Sequence, residues 1–202
     1  MKFLFSTVAM SLALLVGDPV PTHAGNIVVN GGFETGDFTG WTVNDPSFGT
    51  FVSGAFDGYG PHSGTYFAAL GASGLLGSIS QDLKTTAGSS YVLDYFLASD
   101  GNTPNEFKVA WNGSTIFDQV NIPAQDYTEY KLLVTATGPS TNLTFYEQND
   151  NGFLSLDDVS VNASTATAVP EPSTLMLSVI SLASLGLATS RSRLRRRVAS
   201  AA

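Results

Sequence analysis

The chain has 202 residues, with 9 Lys+Arg against 17 Asp+Glu, 2 His and no Cys. That length holds one ordinary domain with accessory segments. The formal charge of −8 argues against a nucleic-acid-binding surface, and the absence of cysteine excludes a disulfide scaffold, thiolate metal sites and cysteine nucleophiles.

A mean hydropathy of +0.13 is high for a soluble protein, and an apolar run at each end accounts for it. At the N-terminus Lys2 precedes the apolar stretch Phe3–Val16, which Asp18, Pro19 and Pro21 interrupt. Thr22-His23-Ala24 then offers small residues for cleavage. This order predicts a signal peptide over 1–24, in helical form, cut by signal peptidase after Ala24. The alternative is an uncleaved anchor helix, for which the run is short.

The next segments read as β structure. Ile27-Val28-Val29, Trp41-Thr42-Val43, Thr65–Leu70 and Gly77–Leu83 come first. Tyr91–Leu97 is a run of aromatic and branched residues, and Glu106–Trp111 alternates charged with apolar side chains. Asn112-Gly113 predicts a tight hairpin returning through Thr115-Ile116-Phe117. Glu129–Val134 and Asn142–Tyr146, joined through Gly138-Pro139, precede a closing run over Phe153–Val161. About ten short strands at this spacing predict an all-β sandwich or barrel over 25–161. The polar segment 162–168 predicts a linker.

Between residues 25 and 168 there are 3 lysines and 15 acids, so this body carries a formal charge of −12. Nucleic acid and anionic membrane surfaces are poor partners for it, whereas cations and uncharged polymers suit it. His62 is its one histidine, which is too few for a zinc site, and no Gly-x-Ser-x-Gly elbow or Gly-x-x-x-x-Gly-Lys loop occurs. His62 follows Pro61 in a Gly-rich stretch and reads as a loop residue. No acid/base pair of carboxylates stands out, so no catalytic residue is assigned and the expectation is a non-enzyme.

At the C-terminus Leu175–Ala188 is apolar or small throughout, and five arginines follow within 191–197. A helix over 173–190 would be about 27 Å long at 1.5 Å per residue, enough for a single transmembrane span with snorkelling flanks. The arginine cluster would then lie on the cytoplasmic side. The arrangement Pro170-Glu171-Pro172, apolar helix, arginine cluster over 169–197 resembles the PEP-CTERM sorting signal of exported bacterial proteins. The resemblance implies recognition by an exosortase, a transient inner-membrane anchor, removal of the tail and delivery to the cell envelope or extracellular matrix. A plain single-span anchor is the alternative, and physical chemistry alone does not separate the two.

A second resemblance covers the body. Asn30-Gly31-Gly32-Phe33-Glu34 with Gly40-Trp41, the segment His62–Ala68 and the closing Leu156-Asp157-Asp158-Val159 together resemble the calcium-containing jelly-roll carbohydrate-binding modules of the galactose-binding-like superfamily. The resemblance implies a jelly-roll β-sandwich with a structural calcium ion where the first and last strands meet. Glu34 and Asp157 would supply carboxylates, and Gly32 and Tyr66 backbone carbonyls. Ser63 stands where the family often has an acidic ligand. Calcium takes six to eight hard oxygens, which such a set begins to provide. The alternative reads Glu34 as a turn residue, and Asp157-Asp158 as one exposed carboxylate and one that bonds a backbone N–H.

Of the chain's aromatic residues, 20 fall in the body. Sugar sites stack an aromatic ring on a pyranose and add amide or carboxylate hydrogen bonds. Tyr95, Trp111 and Tyr146 are the candidates, with Gln148 or Asn149 nearby, although sandwich cores use the same residue types. The expected function is an exported, non-catalytic envelope or matrix protein interacting with extracellular polysaccharide. The alternatives are a purely structural matrix protein and a glycan-active enzyme.

Overall fold

The computed structural model describes residues 25–47 and 49–164. The signal peptide, most of the expected linker and the sorting segment with its helix lie outside the described residues. Ten strands form: β1 (Thr42–Asn44), β2 (Phe51–Ser53), β3 (Phe67–Leu70), β4 (Gly77–Lys84), β5 (Ser90–Ser99), β6 (Asn105–Trp111), β7 (Ser114–Val120), β8 (Gln125–Thr135), β9 (Ser140–Asn149) and β10 (Leu154–Ala163). No helix occurs among the described residues.

The strands make two five-stranded sheets, β1-β4-β9-β6-β7 and β2-β3-β10-β5-β8, with every pairing antiparallel. The first is called sheet A and the second sheet B. They pack face to face as a jelly-roll sandwich. Two differences from the sequence reading concern the edges. The short β2 has no pattern of its own and forms by pairing Phe51–Ser53 against Phe67–Ala69. Conversely, Asn162 and Ala163, expected in the linker, extend β10 against Val92 and Tyr91 of β5.

Alternation explains the layers. Along β5 the residues Tyr91, Leu93, Tyr95 and Leu97 point into the core, and Val92, Asp94, Phe96 and Ala98 point out. Leu143 and Phe145 of β9, Ile79 and Leu83 of β4, and Phe107 and Val109 of β6 complete the filling from sheet A. Phe145 lies at the centre, with its ring 5.4 Å from that of Tyr95, 5.7 Å from Phe107 and 6.1 Å from Trp41. Removing such a side chain from water contributes about 1.5–3 kcal/mol. The predicted hairpin is present between β6 and β7, with Asn112 and Gly113 both at positive φ (50° and 80°). That conformation matches the twist of the two strands it joins.

The segment 26–31 is no regular strand, yet it is stitched along β10. Ile27 N–H donates to the Val161 carbonyl at 3.0 Å, and Val159 N–H donates to the Gly31 carbonyl at 2.9 Å. The backbones come so close at Gly31 that a Cβ would sit 1.9 Å from the Val159 oxygen. This contact holds the start of the body against its last strand.

Candidate functional site

The apolar residues of β10 change parity along the strand. Leu154 and Leu156 face the core, then Val159 and Val161 do. One extra residue therefore sits in the strand, and the register against β5 shifts between Asp157 and Ser160, with Asp158 at φ 50°. Such a bulge re-aims side chains. Here it places Asp157 and Asp158 beside the loop at 62–66 and the turn at 32–34.

Asp157 is fully buried. Its Oδ2 accepts from the backbone N–H of His62 at 2.8 Å and Ser63 at 3.2 Å, and its Oδ1 accepts from Asp158 N–H at 2.7 Å. Burial pushes its carboxyl up to about 6, against the pull of these donors. Asp158 faces the same loop: its Oδ2 lies 2.7 Å from His62 Nδ1, and its Oδ1 accepts from the Ser63 hydroxyl at 2.9 Å. Glu34 Oε1 accepts from Thr65 N–H at 2.8 Å and Tyr66 N–H at 3.0 Å. A Cβ at Gly32 would lie 3.4 Å from Asp158 Oδ1 and 3.8 Å from both Asp157 Oδ1 and Glu34 Cγ.

Gly32, Glu34, Ser63, Tyr66 and Asp157 are thus brought together at one junction. Among the described residues, no group of three or more His, Cys, Asp or Glu side chains is placed to hold a metal ion. A cation here would need backbone carbonyls as well as carboxylates. Asp158 and His62 also belong to the junction; both stand in segments that carry the resemblance, but neither was among the expected ligands. The His62 ring stacks on Phe96 at 3.7 Å, an outward residue of β5. The parity break at Asp157-Asp158 was the signal that could have singled out Asp158; nothing local marks His62.

The three aromatic candidates part company. Tyr95 is fully buried, stacked on Tyr130 at 5.3 Å, so neither face of its ring is free for a ligand. Trp111 is 5% exposed and donates its Nε1–H to the Thr135 carbonyl at 3.0 Å, which fixes it in the core. Both lie on the inward parity of their strands and pack in the core, which is the role the sequence reading held against ligand stacking. Tyr146 has the opposite parity and stands half-buried on the outer face of sheet A.

On that face Tyr146 sits in one rung with Ser78 of β4, Lys108 of β6 and Asp118 of β7. The Lys108 ammonium lies 5.1 Å from the centre of its ring and pairs with Glu106 at 3.3 Å. Gln148 and Thr144 flank Tyr146 along β9, while Asn149 is buried and donates to Asp100 at 3.1 Å. The result is one aromatic ring surrounded by amide, hydroxyl, ammonium and carboxylate groups on the outer sheet face. It can stack one ligand face and both donate and accept hydrogen bonds.

No family model matches the chain, and no curated protein matches it. Solved structures do. The carbohydrate-binding module TmCBM61, solved in complex with β-1,4-galactotriose, is 19% identical with a TM-score of 0.53, covering 69% of this chain and 99% of that one. The CBM22-1–CBM22-2 tandem domain of Xyn10C from Paenibacillus barcinonensis is 16% identical with a TM-score of 0.53, covering 72% of this chain and 48% of that one. The K3 cleaved adhesin domain of Lys-gingipain from Porphyromonas gingivalis is 12% identical with a TM-score of 0.51, covering 70% and 98%. At these identities the likeness is one of fold: the body shares its sandwich with carbohydrate-binding modules and an adhesin domain.

Proposed function

We infer that the body is a non-catalytic saccharide-binding domain of an exported protein, which meets extracellular polysaccharide at the outer face of sheet A. The observation that carries this is Tyr146, a half-buried ring in the middle of that face, framed by Lys108, Gln148 and Asp118. The fold shared with carbohydrate-binding modules supports the same reading. So does the charge of the body, which favours uncharged polymers over acidic ones.

The two buried carboxyls offer no glycosidase pair. Asp157 belongs to sheet B and is held by backbone N–H groups, while Glu147 belongs to sheet A and accepts from the Ala72 N–H and the Thr50 hydroxyl. The ending 169–197 supports export through an exosortase and the envelope or matrix as destination, on the strength of its sequence resemblance. Calcium at the junction is proposed from the chemistry of its donors and from the resemblance. Glu34 and Asp157 carboxylates and the Gly32 and Tyr66 carbonyls would hold it, and bound calcium would offset the clustered negative charge of Glu34, Asp157 and Asp158.

The test is a glycan array with the purified full-length chain and its Tyr146→Ala variant. Binding to saccharides, weakened at least about tenfold in the variant (1.4 kcal/mol), is the expected result. A folded protein that retains no glycan leaves the purely structural matrix role.

A further inference from the structure

The outer face of sheet B carries an open cleft of about 610 Å³, within the range of about 300–1,000 Å³ for small-molecule sites. Its floor is made by two small residues, Ala98 of β5 and Ser155 of β10, which are paired across the sheet. The ladder from β5 to β8 breaks between Leu97 and Ser99, so Ala98 has no partner on that side and the strand opens there.

Two tyrosines wall the cleft, and both are held from behind. Tyr59 ends the tight turn Phe56–Tyr59, whose central Asp57 and Gly58 have positive φ. Its ring stacks on Phe56 at 5.2 Å and meets the edge of Phe153 at 5.5 Å, and its hydroxyl donates to Asp100 Oδ2 at 2.8 Å. Tyr127 donates its hydroxyl to the Gly60 carbonyl at 2.8 Å and packs 5.3 Å from His62, itself stacked on Phe96. Neither ring has to be ordered when a ligand arrives, which removes a usual cost of binding. Asp57, Asp126 and Gln125 form the rim, and no Lys or Arg lines the cleft.

We propose that this cleft is a second saccharide-binding site, taking a sugar residue without acidic substituents. The tyrosine rings suit the apolar face of a pyranose, and the rim carboxylates and amide accept from its hydroxyls. Those same carboxylates repel uronic and sulfated sugars. The cleft and Tyr146 lie on opposite outer faces of the sandwich. Granted the Tyr146 reading, one body then engages two polysaccharide strands at once and cross-links them.

The test applies the purified full-length chain to an array of neutral, amine-bearing and acidic oligosaccharides, followed by calorimetry with the strongest hit. Hits among the neutral and amine-bearing sugars and two sites per chain are expected. Ala98→Leu, which fills the floor, leaves one site; Tyr146→Ala leaves the other. Asp126→Lys, at an exposed rim position where folding is not at stake, weakens the cleft at least about tenfold. An array with no hit, or with acidic hits alone, overturns the proposal. So does a single site that Ala98→Leu and Asp126→Lys leave unchanged, and in that case the Tyr146 reading stands. A site lost in Ala98→Leu but indifferent to Tyr146→Ala keeps the cleft and removes the Tyr146 reading.

Discussion

Asp157→Asn separates the two roles of the carboxylate junction. The side chain keeps its size and loses its charge. With the amide oxygen at the Oδ2 position, the bonds from His62 and Ser63 survive. The amide nitrogen then faces Asp158 N–H, which loses its acceptor. One lost bond of this kind costs about 1 kcal/mol, and relief of the buried charge offsets part of it. In chelator the variant should therefore melt within a few degrees of the parent. With calcium the comparison changes. An ion present at a hundred times its dissociation constant stabilises the parent by about 2.7 kcal/mol. For a body of this size that is a rise of roughly 8–12 °C in Tm, and the variant should forfeit most of it. The assay is thermal unfolding of both proteins in EGTA and in millimolar calcium, with Glu34→Gln as a second probe. A parent whose Tm is the same in both buffers, or a variant whose deficit is equal in both, refutes the calcium assignment.

The pH dependence has a definite sign in chelator. Burial raises the Asp157 carboxyl to about 6, so the folded protein holds a proton that the unfolded chain has already lost. Stability from this group is full below about 4 and falls as pH rises through 6. Burial moves the Glu147 carboxyl in the same direction, so Tm in EGTA should be higher at pH 5 than at pH 7.5, and Asp157→Asn should flatten that slope. A parent slope of opposite sign would remove this account. Gly31→Ala should lower the urea midpoint by about 1–3 kcal/mol worth of stability, because its methyl meets the Val159 carbonyl; an unchanged midpoint would show that the 26–31 segment detaches freely. Replacing Pro170, Glu171 and Pro172 by alanine should leave an unprocessed precursor in the inner membrane, detected by its greater mass, whereas normal trimming would dismiss the exosortase assignment.

Alternation made most of the sandwich readable before any coordinates. A strand with one buried face writes its parity into the sequence, and Tyr91–Leu97, Glu106–Trp111 and the Asn112-Gly113 turn did so. The parity break in Leu156-Asp157-Asp158-Val159 was equally local, and it marks the bulge that aims both aspartates. Other features have no local signature, because they arise where segments far apart in the chain meet. The short β2 exists through its partner β3. Alternation places Tyr95 and Trp111 on the apolar parity of their strands, whereas Tyr146 shares its parity with Thr144 and Gln148, and only the packing of sheet A on sheet B leaves that ring half-buried on the outer face. His62 joins Asp158 from 96 residues away. Tyr59 and Tyr127 become the walls of one cleft because Gly60 and Asp100 fix their hydroxyls from other parts of the chain. Side-chain periodicity is a property of one segment, whereas a binding surface is a property of which segments end up adjacent.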